Sequence, residues 1–189
     1  MPTQNTSRTA LILVDLQNDY FEKGNWPLQN QEQAAQKAQG LLAHCRKNGL
    51  PVIHIQHLSG KADAPFFAQG TSGAEIHNSV SPQENEPVIV KSEINGFKNT
   101  ELLDLLRAQR VTKLIIAGSM SHMCIDALTR AASDYGFECV VAEDSCATRD
   151  LEFKGTTVPA ELVHAAFMSA LGFAYAEILS SEEALRHLE

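Results

Sequence analysis

The stretch LIIAGSMSHMC, Leu114–Cys124, indicates how the chain is built. Its first four residues, Leu114–Ala117, form a short apolar run of the kind found in a strand that is buried on both faces. A glycine, two serines and a histidine interrupt this run, and a helical pattern continues over residues 122–135. We therefore predict a buried strand, a turn and a helix, with Cys124 in the first turn of the helix and Ser121 as its N-cap.

Strands and helices alternate in the same way along the rest of the chain. Further apolar runs predict strands at Ala10–Leu16, Val52–His57, Val88–Val90, Glu138–Glu143 and Ala174–Leu179. Helical patterns cover Gln31–Lys47, Asn99–Gln109, Pro159–Leu171 and a C-terminal segment that opens with a capping box of Ser180 and Glu183. Parallel strands need crossover connections, which helices supply. We therefore predict an α/β fold, a three-layer Rossmann-like sandwich with a six-stranded, mostly parallel sheet.

One segment, Leu58–Glu86, does not follow this alternation. It is rich in Gly, Ser, Pro and Gln, and it contains Phe66 and Phe67. A connection of this length inside a compact domain is usually functional or partly structured. We predict that it is a covering loop with short helical turns.

Composition and charge limit the class of protein. A length of 189 residues and a hydrophobic fraction of 44% suit one globular domain, which we place at residues 1–189. The net charge of -8, without a run of Lys or Arg, argues against nucleic acid or an anionic membrane surface as a partner. The polar N-terminus predicts no signal peptide. We expect a cytoplasmic protein whose four cysteines are free thiols.

Three side chains with chemical capability fall at the carboxyl ends of predicted parallel strands, where such sheets bind ligands. Asp15 ends the first strand, Lys91 follows the third, and Cys124 lies just past the fourth. Each residue alone has an ordinary structural explanation. Together they predict a thiol nucleophile, because an ammonium lowers the pKa of a nearby thiol and a carboxylate can accept its proton.

The motifs around these residues resemble those of the isochorismatase-like cysteine hydrolases. They read ILVDLQNDYF (12–21), KSEINGFKNTELLDLL (91–106) and LIIAGSMSHMCIDALTRAASDYGF (114–137). Further stretches that resemble the family lie at Gly70–His77 and Val140–Thr148, so the resemblance covers nearly the whole chain. It implies a sheet with the strand order 3-2-1-4-5-6.

The resemblance also implies roles for particular residues. Asp15, Lys91 and Cys124 match the catalytic residues of the family. A cis peptide bond is implied between Ser119 and Met120, and the backbone N–H groups of Met120 and Cys124 are implied to form an oxyanion hole. The reaction implied is hydrolysis through a thioester on Cys124.

A substrate pocket is expected beside this site. Tyr20 matches a position where the family places an aromatic ring against the substrate, and Trp26, Phe67 and His122 are further candidates. The implied strand order separates Lys91 from the first strand by two strand spacings, roughly 9–10 Å. Lys91 must therefore reach over the second strand, or the chain must bend inward after Val90, and the sequence leaves both open.

We expect no metal and no cofactor. The nicotinamidases of this family hold a metal on an Asp-x-His motif after the second strand, which this chain lacks. His54 and His57 are an odd number of positions apart, so they face opposite sides of a strand. Whether His57 meets His77 in the fold stays open.

The leading functional hypothesis is a cysteine hydrolase that cleaves a small amide, ureide or N-carbamoyl compound. The presence of Cys124 argues against true isochorismatase activity, because those enzymes lack the nucleophile. Two alternatives remain: a metal-assisted nicotinamidase-type amidase, and a non-catalytic member that acts as an oligomeric interaction module. We expect a small-molecule substrate and a homo-oligomer, either a dimer or a tetramer.

Overall fold

The computed structural model describes residues 8–61 and 63–188 and contains one central parallel sheet. Its strands are β1 (Thr9–Val14), β2 (Val52–His57), β3 (Val88–Lys91), β4 (Lys113–Ser119), β5 (Glu138–Ala147) and, after a hairpin of β6 (Leu151–Phe153) and β7 (Thr156–Val158), β8 (Glu177–Leu179). The order is β3-β2-β1-β4-β5-β8, with every neighbouring pair parallel. The predicted fold and strand order are confirmed, with β8 as the sixth strand of the sheet. The β6–β7 hairpin is an addition that the sequence patterns did not predict.

Helices cover both faces of the sheet and form the outer two layers. They are α1 (Gln31–Asn48), α2 (Leu102–Ala108), α3 (Asp126–Asp134), α4 (Ala160–Ala174) and α5 (Ser181–Leu185). Alternate side chains of β1 enter different cores: Ile12 and Val14 pack with residues of α2, α3 and α4, and Leu11 and Leu13 pack with residues of α1 and α5. In the described part of the chain, no helix is long and apolar enough to cross a membrane.

The helix ends agree with their sequence signals in two places and differ in a third. Gly49 ends α1 at a φ of 63°, and the capping box of Ser180 and Glu183 begins α5. The helix predicted from residue 122 instead begins as a single π turn, Ser121–Ile125, which leads into α3. Residues 1–7, on which the expectation of no signal peptide rests, lie outside the described residues.

Gly118 allows β1 and β4 to approach each other closely at their carboxyl ends. Its φ is 132°, and a Cβ at this position would lie 2.0 Å from the backbone oxygen of Val14. Gly118 pairs with Val14 in the sheet register. Only glycine permits this contact, which brings the residue after β1 next to the turn after β4.

The segment between β2 and β3 is a covering loop with short helical turns, as predicted. It contains 3₁₀ turns at Ser72–Ala74 and Asn78–Val80. Asp19 anchors this segment, because its Oδ2 accepts a 2.6 Å hydrogen bond from the N–H of Phe67. Its Oδ1 accepts a hydrogen bond from the N–H of Asn25, in the loop between β1 and α1. The fully buried ring of Phe67 is thereby fixed near the carboxyl edge of the sheet.

Candidate active site

Asp15 is the first residue after β1 and is fully buried. Its backbone has a φ of 50°, in the left-handed region that few residues other than glycine adopt and that Asp tolerates better than most. Its N–H donates to the carbonyl of Ile55 in β2, which fixes the end of β1 against the neighbouring strand. Such a conformation persists where the surrounding structure enforces it, as at functional sites.

Lys91 reaches Asp15 from the edge strand of the sheet. It is the last residue of β3 and pairs in register with His57 of β2. Its Nζ lies 2.8 Å from Asp15 Oδ2, and both side chains are completely buried. Because β3 continues regularly to Lys91, the long side chain itself spans β2 to reach β1. The inward bend of the chain that the sequence left open is therefore not needed.

The Lys91 ammonium stays charged in this buried place. Burial alone disfavours the charged form, but Asp15 and Cys124 outweigh it and raise the pKa of Lys91 above its usual value. Cys124 Sγ lies 3.2 Å from Nζ. The three residues predicted to be catalytic thus meet around one ammonium group.

Cys124 is the fourth residue of the π turn and is 2% exposed. Burial and then the Asp15 carboxylate raise the pKa of the thiol well above its usual value, while Lys91 acts in the opposite direction. At neutral pH the residue is therefore a thiol that must lose its proton before it attacks. The cysteines Cys45, Cys139 and Cys146 are also free and buried, and burial raises the pKa of each to about 12.

The turn before Cys124 contains a cis peptide bond between Ser119 and Met120. The Ser119 hydroxyl donates to Gln31 Oε1 at 2.7 Å. Ser121 is not the N-cap that the sequence predicted, because its hydroxyl contacts His164 Nδ1 at 2.8 Å instead of an N–H group of the helix. The π turn draws Ser121 inward, where it is fully buried.

Aromatic side chains form one wall beside the candidate catalytic residues. Tyr20 packs on Phe67 with ring centroids 4.6 Å apart, and Phe66 links Tyr20 to Trp26 at 6.1 and 4.9 Å. Burial, and then the nearby charge of Asp15, raise the pKa of Tyr20 well above its usual value. Tyr20, Phe67 and Trp26 therefore form one contiguous cluster beside the site.

His122 lies apart from that cluster and is held by different contacts. Its Nδ1 lies 2.6 Å from Thr148 Oγ1, and its ring meets that of Phe167 edge to face. Burial, and then the charge of Arg149, lower the pKa of His122. Arg149 also stacks on Trp26 at 4.3 Å, so it connects the two groups of pocket candidates.

Sequence reasoning missed His57 as a member of the site. His57 Nδ1 lies 2.9 Å from Lys91 Nζ, whereas His54 points to the other side of the sheet and contacts Glu86. His77 does not join His57 but stacks on Phe21 at 3.7 Å. The position of His57 at the carboxyl end of β2 could have identified it, because Asp15, Lys91 and Cys124 were predicted from their positions at the carboxyl ends of strands.

Donor atoms of Asp15, His57 and Cys124 lie within 4.8 Å of one another, as the ligands of a metal ion would. The Lys91 ammonium contacts all three residues, at 2.8, 2.9 and 3.2 Å. A cation could bind these atoms only by displacing the ammonium. The donor set therefore fits Lys91 better than it fits a metal ion.

Fold and site together define a class of α/β proteins with a candidate cysteine nucleophile at the carboxyl edge of a parallel sheet. The sequence model of the isochorismatase domain matches residues 9–181, and the chain belongs to the isochorismatase family of hydrolases. An uncharacterized family protein of Bacillus subtilis, YddQ, is 49% identical over 94% of this chain and 99% of its own length.

Two further relatives extend this comparison. A solved structure of an isochorismatase-family hydrolase from Oleispira antarctica is 52% identical, with a TM-score of 0.92 over 98% of this chain and 99% of that one. Streptothricin hydrolase of Streptomyces noursei is 36% identical over 86% of this chain, which spans 59% of that enzyme. Both relatives are similar over most of the present chain.

Proposed function

We propose that the protein is a cysteine hydrolase that cleaves the C–N bond of a small amide, ureide or N-carbamoyl compound. The observation that carries the proposal is the buried contact of the Lys91 ammonium with both Asp15 Oδ2, at 2.8 Å, and Cys124 Sγ, at 3.2 Å. A carboxylate beside a buried thiol can accept the thiol proton, which is one way in which proteins activate a nucleophile.

The first half of the proposed reaction forms a thioester. Asp15 accepts the proton of the Cys124 thiol, and Sγ attacks the carbonyl carbon of the substrate. The backbone N–H groups of Met120 and Cys124 stabilise the oxyanion of the tetrahedral intermediate. Asp15 then returns the proton to the departing nitrogen, so that ammonia or an amine leaves and an acyl group stays on Cys124.

The second half releases the acid. Asp15 takes a proton from a water molecule, which attacks the thioester, and the Cys124 thiolate leaves and recovers that proton. Lys91 holds the Asp15 carboxylate in place through both halves, because its ammonium lies 2.8 Å from Oδ2. Burial raises the pKa of the Cys124 thiol, so the proposed reaction starts from a thiol whose proton goes to Asp15.

The proposed substrate class rests on the resemblance to the family and on the relatives. Tyr20, Phe67, Trp26 and His122 are the proposed pocket residues. Streptothricin hydrolase, the 36% identical relative, is named for hydrolysis, which supports a hydrolytic reaction here. The four free cysteines agree with the proposed cytoplasmic location, which is a reducing compartment.

Ammonia release from a panel of small amides, ureides and N-carbamoyl compounds tests the proposal. We expect at least one compound to be hydrolysed, and Cys124→Ser to abolish the reaction. Cys146→Ser is the matched control, because Cys146 is also buried and its Sγ contacts a backbone carbonyl. Hydrolysis that survives in Cys124→Ser would refute the proposed nucleophile, and a catalytically inactive panel with an unreactive Cys124 would favour an interaction module.

A further inference from the structure

His57 makes a contact with Lys91 that the proposed reaction does not use. Its Nδ1 lies 2.9 Å from Nζ, which is also close to Asp15 Oδ2, the Glu93 carbonyl at 3.1 Å and Cys124 Sγ. Four acceptors thus surround an ammonium that has three N–H groups. Asp15 Oδ2, at 2.8 Å, and His57 Nδ1, at 2.9 Å, are the two acceptor atoms closest to Nζ.

The chemistry of the contact defines the state of the imidazole. An ammonium donates hydrogen bonds and cannot accept one, so His57 Nδ1 must present its lone pair to Lys91. The ring is then neutral and carries its proton on Nε2. Burial, and then the charge of Lys91, lower the pKa of His57, while Asp15 and Glu93 act in the opposite direction. The imidazole therefore stays neutral at pH 7.

The main chain of His57 forms hydrogen bonds with Gln17, in the segment after β1 that also carries Asp15. Gln17 is fully buried; its Oε1 accepts a 2.7 Å hydrogen bond from the His57 N–H, and its Nε2 donates to the His57 carbonyl at 2.8 Å. The ring of Phe67 lies 5.8 Å from the imidazole, on the side of the covering loop. The main chain that carries the imidazole is thus fixed to the segment after β1 that also carries Asp15.

We propose that His57 is a positioning residue whose neutral imidazole holds the Lys91 ammonium where it reaches both Asp15 and Cys124. This inference rests on the proposed function. Without an acceptor at this position, the flexible lysine side chain would lose one of the two acceptors closest to its Nζ and would be free to take other rotamers. Its ammonium would then spend less time beside the thiol, and the thiol would lose its proton less readily.

Protonation of His57 would have a similar effect. An N–H group would then face the ammonium at 2.9 Å, and the two positive charges would repel each other. The charged and titratable groups that face His57 are Lys91 on β3, Asp15 after β1, Glu93 after β3 and Cys124 in the π turn. We therefore expect the reactivity of Cys124 to fall as the pH drops through the lowered pKa of His57.

Alkylation of Cys124 by iodoacetamide, followed by mass spectrometry from about pH 5 to about pH 8, tests the inference without a known substrate. His57→Leu removes the acceptor, and we expect alkylation at pH 7 to slow by about 10-fold, the effect of one hydrogen bond to a charged group. His57→Asn keeps an acceptor but does not titrate. We expect Cys124 in the His57→Asn protein to retain most of its alkylation rate at pH 7. The part of the fall in alkylation rate at low pH that protonation of His57 causes should be absent from this variant.

His44→Asn is the matched control, since His44 lies on α1, away from this edge of the sheet. Unchanged alkylation in His57→Leu, with a wild-type pH profile in His57→Asn, would overturn the inference. If His57→Leu does not fold, as judged by circular dichroism, the pH profile of His57→Asn decides alone. If Cys124 in the wild-type protein reacts no faster than Cys45 or Cys146, the proposed function itself fails, and the two failures are thereby distinguished.

Discussion

Strand β2 carries two histidines that enter two different buried charge clusters. His54 contacts Glu86, which also accepts two 2.7 Å hydrogen bonds from Arg46 and one from the N–H of Gln83. His57 contacts the ammonium of Lys91 in the candidate active site. We call the first group, His54, Glu86 and Arg46, the tether cluster.

The two clusters differ in how many hydrogen-bond donors surround their carboxylates, Glu86 in the tether cluster and Asp15 in the candidate active site. Hydrogen bonds from Arg46, Gln83 and His54 outweigh the effect of burial and lower the pKa of Glu86 to about 2. Asp15 has one cation at Oδ2, whereas its Oδ1 has no hydrogen-bond partner among the described residues. A carboxylate saturated with donors holds its charge and connects elements of structure. A carboxylate with a free oxygen beside a thiol can take a proton.

Replacing the basic residue of each cluster with methionine should give the largest difference in activity between variants of the two clusters. Lys91→Met should reduce hydrolysis, measured as ammonia release, by about 10³-fold or more. It should also lower the free energy of unfolding by about 3–5 kcal/mol, because Asp15 would remain buried without its counter-ion. A Lys91→Met protein with wild-type activity would contradict the assignment of this cluster as catalytic.

Arg46→Met is the matched change in the tether cluster. It should lower the free energy of unfolding, measured by urea titration, by about 1–3 kcal/mol through the loss of charged hydrogen bonds. The activity of the folded protein should stay close to that of the wild type, since Arg46 lies on α1, away from the carboxyl edge of the sheet. A large loss of activity without unfolding would show that the two clusters are coupled.

Glu86→Gln tests whether the carboxylate of the tether cluster makes the stability of the protein depend on pH. The pKa of Glu86 is about 2 in the folded protein, below its ordinary value of 4.5. A lowered pKa contributes stability above the ordinary value and loses it as the pH falls through the folded value. The stability difference between wild type and Glu86→Gln should therefore narrow between pH 4.5 and about 2, as followed by urea midpoints. A constant difference would exclude this linkage.

Asp19→Asn should have the smallest effect of these changes. Asp19 anchors the covering loop near the site, at Phe67, while Glu86 anchors the end of the same connection. Asparagine keeps an acceptor but loses the charge, so we expect a loss of about 1 kcal/mol in the free energy of unfolding. Limited proteolysis should cut the loop faster than in the wild type, and an unchanged cleavage rate would argue against this anchor.

The homo-oligomer expected from the resemblance stays a prediction. Light scattering on the purified protein measures its mass in solution directly.

Much of the molecule was predictable from local patterns. The alternating apolar runs predicted the parallel sheet, because strands buried on both faces and amphipathic helices have different periods. The motifs after β1, β3 and β4 identified Asp15, Lys91 and Cys124 as candidates, since the carboxyl ends of parallel strands share one edge. The capping box at Ser180 was readable for the same local reason.

Other features depend on contacts between residues that are distant in the sequence. Lys91 reaches Asp15 across β2, and this requires the register of β2 with β3 and a side chain that extends over His57. Ser121 turns inward to His164 of α4, 43 residues away, which no local capping pattern shows.

The fold class, the family and the three candidate catalytic residues were thus predictable from the sequence, because periodicity and motifs are local properties. The tertiary structure was needed to show that His57 joins the site and that His54 does not. It also decided which carboxylate is saturated by its neighbours, since hydrogen bonds, burial and pKa depend on what the fold brings within a few ångströms.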